Sequence, residues 1–148
     1  KIKIINKNEN KIIKKTFIQN NINNSHYQIQ ESEYFDVSKC LQDSKIGVFF
    51  PKRGFYLNGY FPTKLGEFLA CGIPVVTFSI NKDVDDIIIK NNVGIIINDL
   101  FNDVDAKKII NMANDQSISI RCRETSKKYF SAIDGANIYN NIYQNFIN

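Results

Sequence analysis

The stretch Phe61-Pro62-Thr63-Lys64-Leu65-Gly66-Glu67-Phe68-Leu69-Ala70-Cys71-Gly72-Ile73-Pro74-Val75-Val76 decides how the chain folds. It reads as a loop that becomes a short helix, with apolar Leu65, Phe68 and Leu69 at helical spacing. Gly72 stops the helix, and the apolar run after it reads as a buried strand. Pro62 suits the first helical position, because the N–H it lacks would be unpaired there. The N–H groups of Thr63 and Lys64 then project from the helix start. With the helix dipole they offer a place for an anion, and the Lys64 side chain adds charge; a water-solvated helix start is the alternative. Lys64, Glu67 and Cys71 share one helix face, opposite the core stripe. Glu67 there either accepts hydrogen bonds from the vicinal hydroxyls of a ribose or pairs with Lys64. Such a pair is worth roughly a few tenths of a kcal/mol, and spacing alone favours it.

Outward from this junction, strand and helix alternate. Residues 1–6 read as a strand, 9–20 as a helix, 26–30 as a strand and 32–44 as a helix with Tyr34, Val37, Cys40 and Leu41 in one stripe. Residues 45–51 read as a buried strand built on Ile46, Val48, Phe49 and Phe50, followed by an irregular stretch at 52–61. A strand at 73–78, a helix at 83–92 and a strand at 93–98 complete the alternation. Residues 103–113, 117–131 and 134–146 then read as helices with no strand between them. The expected fold is α/β, a doubly wound, Rossmann-like parallel sheet of about five strands flanked by helices, with a helical C-terminal tail. Ligands of such sheets bind outside the carboxyl ends of the strands.

The 148 residues suffice for one core, and residues 1–148 are read as a single domain. Apolar content of 43% and charged content of 23% are ordinary for a globular chain. The net charge of +4 comes from scattered lysines, not from a basic run interleaved with aromatics, so no nucleic-acid partner is expected. Cys40, Cys71 and Cys122 are odd in number and far apart, and His26 is the one histidine. That pattern argues against a zinc site or a disulfide framework and fits a reducing compartment. No apolar run approaches the ~18 residues of a membrane span. Asp83, Asp85 and Asp86 read as acids complementing a helix start rather than as metal ligands. The 52–61 stretch leaves the carboxyl end of a strand and carries Lys52, Arg53, Phe55, Tyr56, Tyr60 and Phe61. Its two cations either face a diphosphate or are simply solvated.

The opening junction resembles the nucleotide-sugar-binding half of GT-B-fold glycosyltransferases, specifically the retaining group called family 4. Those enzymes share the form Pro-Thr-Lys-Leu-x-Glu-Tyr-Leu-Ala-x-Gly-x-Pro-Val-Val, and here Pro62 to Val76 follows it with Phe68 in place of the tyrosine. Asp83-Val84-Asp85-Asp86-Ile87-Ile88 and Val93-Gly94-Ile95-Ile96-Ile97 resemble the family's next helix and strand. The resemblance covers roughly residues 1–146.

The resemblance implies that Glu67 holds the ribose hydroxyls and that the N–H groups of Thr63 and Lys64 hold the donor's diphosphate. Pro62, Phe61, Asn58, Gly59, Lys52 and Arg53 would surround them. The loop near Gln30 to Glu33, with Gln30 and Glu31 as its named contacts, would take the base, largely through its backbone. Many relatives have a glutamate eight positions before the ribose glutamate, contacting the transferred sugar; here that position is Gly59, so either Asn58 or another loop group serves, or the loop is gapped differently. No catalytic residue is assigned, and the nucleotide diphosphate sugar is the only small-molecule ligand expected, with no cofactor or metal. The family's domain usually opens with a further strand and a loop bearing Arg and Lys. The expectation is therefore a piece of a two-domain enzyme whose N-terminal acceptor domain, first strand and first helix lie upstream. Such a parent would transfer a sugar with retention to a glycan or lipid-linked acceptor in polysaccharide biosynthesis. It would be cytoplasmic, with peripheral association at the inner membrane face, and the isolated chain would bind nucleotide weakly without turnover. A nucleotide-sugar epimerase of the same fold and a non-catalytic nucleotide-binding module are the alternatives.

Overall fold

The expected alternation is present, in the order β1 (Ile2–Ile5), α1 (Asn10–Gln19), β2 (Tyr27–Gln30), α2 (Val37–Leu41), β3 (Gly47–Val48), α3 (Thr63–Ala70), β4 (Val75–Phe78), α4 (Lys82–Lys90) and β5 (Gly94–Ile97). Helices α5 (Asp103–Asn114), α6 (Ile118–Phe130) and α7 (Ala132–Ile147) follow. The structure, a computed structural model, describes residues 1–6, 8–98 and 102–147. Every strand pair among the described residues is parallel, and helices flank the strands, so the fold is α/β and Rossmann-like. Hydrogen bonding divides the strands into a β1-β2 sheet and a β3-β4-β5 sheet. The chain correspondingly forms two compact units, Lys1–Ser44 and Lys45–Asn148.

In the first unit the ladder runs from Ile2 opposite Tyr27 to Ile5 opposite Gln30, and the Asn6 N–H extends it to the Gln30 carbonyl at 3.0 Å. The Phe17 ring meets Tyr27 edge-on at 4.4 Å, which fixes α1 to β2. The helix expected over 32–44 is much shorter. A 3₁₀ turn at Tyr34–Asp36 leads into α2, and only Leu41 of that helix is buried. The side chain of Tyr34, an expected member of its stripe, lies outside the described residues.

In the second unit, the side chains of Leu65, Leu69, Val75, Val84, Ile88 and Val93 are all fully buried. Gly47 and Gly94 both lie in register with Val75. A Cβ on Gly47 would meet the Phe68 ring of α3, and one on Gly94 would meet Ile88 of α4. Both crossover helices therefore cover the same sheet face, as right-handed crossovers running one way along a sheet require. Helix α6 adds Ile118 and Cys122 to that core, and Ser126 Oγ donates to the Gly66 carbonyl at 3.4 Å. Helix α3 ends in a Schellman motif. The Ile73 N–H reaches the Phe68 carbonyl, the Gly72 N–H reaches that of Leu69, and Gly72 has φ +77°. That left-handed residue turns the chain back into β4.

The strand expected over 45–51 is only partly as read. The β3 ladder comprises Gly47 and Val48, and among the described residues β3 pairs on one side only. Gly47 and Phe49 face the core, whereas Val48 is 55% and Phe50 45% exposed. Ile46, Val48, Phe50, Val76, Phe78 and Ile97 line an open groove of about 370 Å³ on that second face. Among the described residues no helix is long and apolar enough to cross a membrane.

Candidate functional site

Helix α3 begins just beyond the segment that leaves β3. Pro62 is not its first helical residue, as the spacing suggested, but the residue before it. Its backbone is extended (φ −74°, ψ 116°), and its carbonyl accepts the Leu65 N–H at 3.1 Å. The ring is fully buried, which fixes where the helix can start. As the capping residue, proline offers no side-chain oxygen, and no side-chain cap bond forms. The exposed Thr63 and Lys64 therefore keep N–H groups without a protein acceptor among the described residues. Asn81 and Asn102 cap α4 and α5 in the usual way, by accepting from backbone N–H groups. The open helix start thus survives the shift of Pro62 by one position.

Glu67 is half-buried one turn into α3. The surface pair with Lys64 that the spacing favoured does not form among the described residues, and Glu67 has no ion-pair partner there. Its carboxylate lies near Cys71, one turn on. Burial pushes the Cys71 thiol up, the Arg123 guanidinium opposes this, and the Glu67 charge adds to the rise. Glu67 is thus a carboxylate with no ion-pair partner among the described residues, one turn beyond an open helix start.

The 52–61 stretch is more ordered than its sequence suggests. Phe55–Gly59 forms a 3₁₀ turn with Leu57 buried in the core. The Tyr56 hydroxyl donates to the Lys52 carbonyl, and the Tyr56 and Tyr60 rings meet edge-on at 6.0 Å. The Phe61 ring packs on Phe130 of α6 at 5.1 Å. Asn58 and Gly59 stay exposed, and a Cβ on Gly59 would meet nothing within 4 Å. Of the two cations, Lys52 is exposed, and Arg53 lies over the Phe78 ring at the carboxyl end of β4.

Sequence reasoning missed Asn81. Its Oδ1 accepts the Val84 N–H at 3.1 Å, which caps α4. Its Nδ2 donates to the carbonyls of Leu57 and Tyr60, each at 2.8 Å. An asparagine just before an acidic helical turn could have been read as a cap; the two donations have no local signal. Two of the three acids beyond it, Asp85 and Asp86, are engaged. Asp85 accepts from Ser79 Oγ at 2.5 Å and from the Ile80 N–H at 3.0 Å, while Asp86 pairs with Lys90 at 2.9 Å. Hydrogen bonding to Asp86 raises the Lys90 pKa.

Gln30 and Glu31 belong to the first unit. Gln30 Nε2 reaches Cys40 Sγ at 3.1 Å, and Glu31 Oε1 accepts from Asn10 Nδ2 at 2.7 Å. Each side chain thus makes one hydrogen bond within the first unit. Thr63, Lys64 and Glu67 thus lie in the first half of α3 and Pro62 just before it, with Asn58, Gly59 and Phe61 on the segment that feeds it.

Residues 2–129 match the family model described as Glycosyl transferases group 1, and the chain belongs to that family. No curated protein and no solved structure matches it.

Proposed function

We propose that this group 1 glycosyltransferase chain is the donor-binding domain of a retaining, family-4-type enzyme that takes its sugar from a nucleotide diphosphate donor. The observation behind this reading is the pairing of two uncapped N–H groups, on Thr63 and Lys64, with the Glu67 carboxylate one turn further on, which has no ion-pair partner among the described residues. The N–H groups and helix dipole suit a diphosphate, and the carboxylate suits the vicinal hydroxyls of a ribose. As the glycosidic bond to the donor breaks, negative charge grows on the departing diphosphate. Fixed donors already aimed at that charge lower the barrier without reorganising. Arg53 and Lys52, on the preceding segment, would add positive charge.

The acceptor, a glycan or a lipid-linked saccharide, would be held by an N-terminal domain of a larger cytoplasmic parent. A non-catalytic nucleotide-binding module is the second reading, favoured by Gly59 at the place where many relatives carry a sugar-contacting glutamate.

Calorimetric titration of UDP, GDP and ADP tests the proposal. One of them should bind, and Glu67→Ala should weaken that binding by about 1–3 kcal/mol, the scale of hydrogen bonds to a charged group. A folded chain that binds none of them at millimolar concentration would sink the nucleotide reading. Unchanged affinity in Glu67→Ala would remove Glu67 from the site.

A further inference from the structure

Asn58 and Gly59 are bracketed by two backbone carbonyls, those of Leu57 and Tyr60. Both carbonyls accept from a single amide, Nδ2 of Asn81, at 2.8 Å each. The oxygen of the same amide accepts the Val84 N–H and caps α4. One side chain thus joins the turn before α3 to the start of α4, across 21 and 24 residues of sequence. Asn81 is itself fixed from behind. Its carbonyl accepts the Asp85 N–H at 2.9 Å, and the Asp85 carboxylate holds Ser79 and the Ile80 N–H.

Capping explains only half of this arrangement. A serine or aspartate would supply the acceptor for Val84 equally well. Only a primary amide supplies that acceptor together with two donors. Leu57 anchors the turn from below through its buried side chain, and the Tyr60 N–H closes it on the Leu57 carbonyl at 3.2 Å. Without the Asn81 donors, only bonds local to the 3₁₀ turn would hold the backbone of the exposed Asn58 and Gly59. The turn is continuous with Phe61 and Pro62, so its position also sets where the N–H groups of Thr63 and Lys64 point.

We infer that Asn81 is a positioning residue for the donor site, a clasp that holds the 57–60 turn and the start of α3 in ligand-ready geometry. This rests on the donor-binding reading above. Preorganisation of this kind acts on affinity, because a loosened segment must be ordered anew each time ligand binds.

The test compares the chain with Asn81→Ser, which keeps the cap acceptor and loses both donors, and with Asn81→Ala, which loses all three. UDP, GDP and ADP are titrated into each, with hydrogen exchange and thermal melting in parallel. The nucleotide that binds the parent chain should bind both variants on the order of tenfold more weakly. Exchange at the Leu57 and Tyr60 amides should accelerate in both, while Asn81→Ala should melt below Asn81→Ser. A residue that only caps α4 would instead leave Asn81→Ser like the parent in affinity, and that result overturns the clasp. Unprotected Leu57 and Tyr60 amides in the parent chain overturn it without any variant. A parent chain that binds no nucleotide overturns the donor reading and this role together, whereas parent binding with unchanged variants overturns the clasp alone.

Discussion

The guanidinium of Arg53 lies 5.0 Å from the centroid of the Phe78 ring. Phe78 ends β4, and the ring of Phe50, from the segment leaving β3, packs against it at 4.4 Å. A cation is thus supported at the carboxyl ends of two adjacent strands, where ligands of open α/β sheets bind. A planar guanidinium suits this stack and an ammonium does so less well. At an exposed site the contact is worth about 0.5–1 kcal/mol. Arg53→Lys, which keeps the charge, should therefore weaken nucleotide binding about two- to fivefold, and Phe78→Leu should do the same. The double variant should lose little more than either single one, because both remove the same contact. Fully additive losses in calorimetry would show that the two residues act separately.

Gly59 bears on the sugar more than on the nucleotide. Its φ is not in the left-handed region, and a Cβ there enters open space. Gly59→Ala should therefore fold normally and gain about 0.4–1 kcal/mol from the less flexible unfolded chain, seen as a higher melting temperature. Gly59→Glu should leave affinity for the nucleoside diphosphate alone nearly unchanged. It should raise affinity for the matching nucleotide sugar relative to the diphosphate. An unmoved ratio would place sugar contact on Asn58 or another group.

Local chemistry made much of this fold legible. Asn81 and Asn102 stand where side-chain caps are needed, and α4 and α5 start within a residue or so of the expected places. Leu65 and Leu69 recur at helical spacing and are both fully buried. The run Ile46 to Phe50 was misleading, because an apolar run does not disclose which of its faces another element will cover. Division of the strands into two sheets depends on pairing between distant segments, which local pattern does not encode. At the site, Glu67 and the helix start were readable from spacing and from the family motif. Pro62 fell one position outside the helix because its carbonyl, not its missing N–H, serves the first turn. The Asn81 donations escaped because their acceptors are backbone carbonyls, which carry no residue identity.

Thr77 lies on the core face of β4, completely buried, and its Oγ1 has no hydrogen-bond partner among the described residues. A desolvated, unpaired hydroxyl costs about 1–3 kcal/mol relative to an apolar group of the same shape. Thr77→Val replaces that hydroxyl by a methyl group at nearly constant volume. It should stabilise the chain by about 1 kcal/mol, or about 2–4 °C in melting temperature. A lower melting temperature would reveal a partner for the hydroxyl, such as a buried water.

Asp115 and Arg121 join the end of α5 to the first turns of α6. Arg121 Nη2 lies 2.6 Å from Asp115 Oδ2, and Asp115 Oδ1 accepts from both the N–H and the hydroxyl of Ser117 at 2.8 Å. The Arg121 hydrogen bond, reinforced by Ser117, lowers the Asp115 pKa from 3.8 to about 2. A depressed carboxylate pKa means that the unfolded chain binds the proton more readily than the folded one. The stabilisation is therefore complete above the unfolded value of 3.8 and is lost as pH falls through about 2. Asp115→Asn should accordingly melt lower than the parent at neutral pH, and the gap should close between pH 3.8 and about 2. Added salt should narrow the neutral-pH gap, because both side chains reach solvent. A gap that persists below pH 2 would assign the contribution to hydrogen-bond geometry at Ser117 and not to the charge on Asp115.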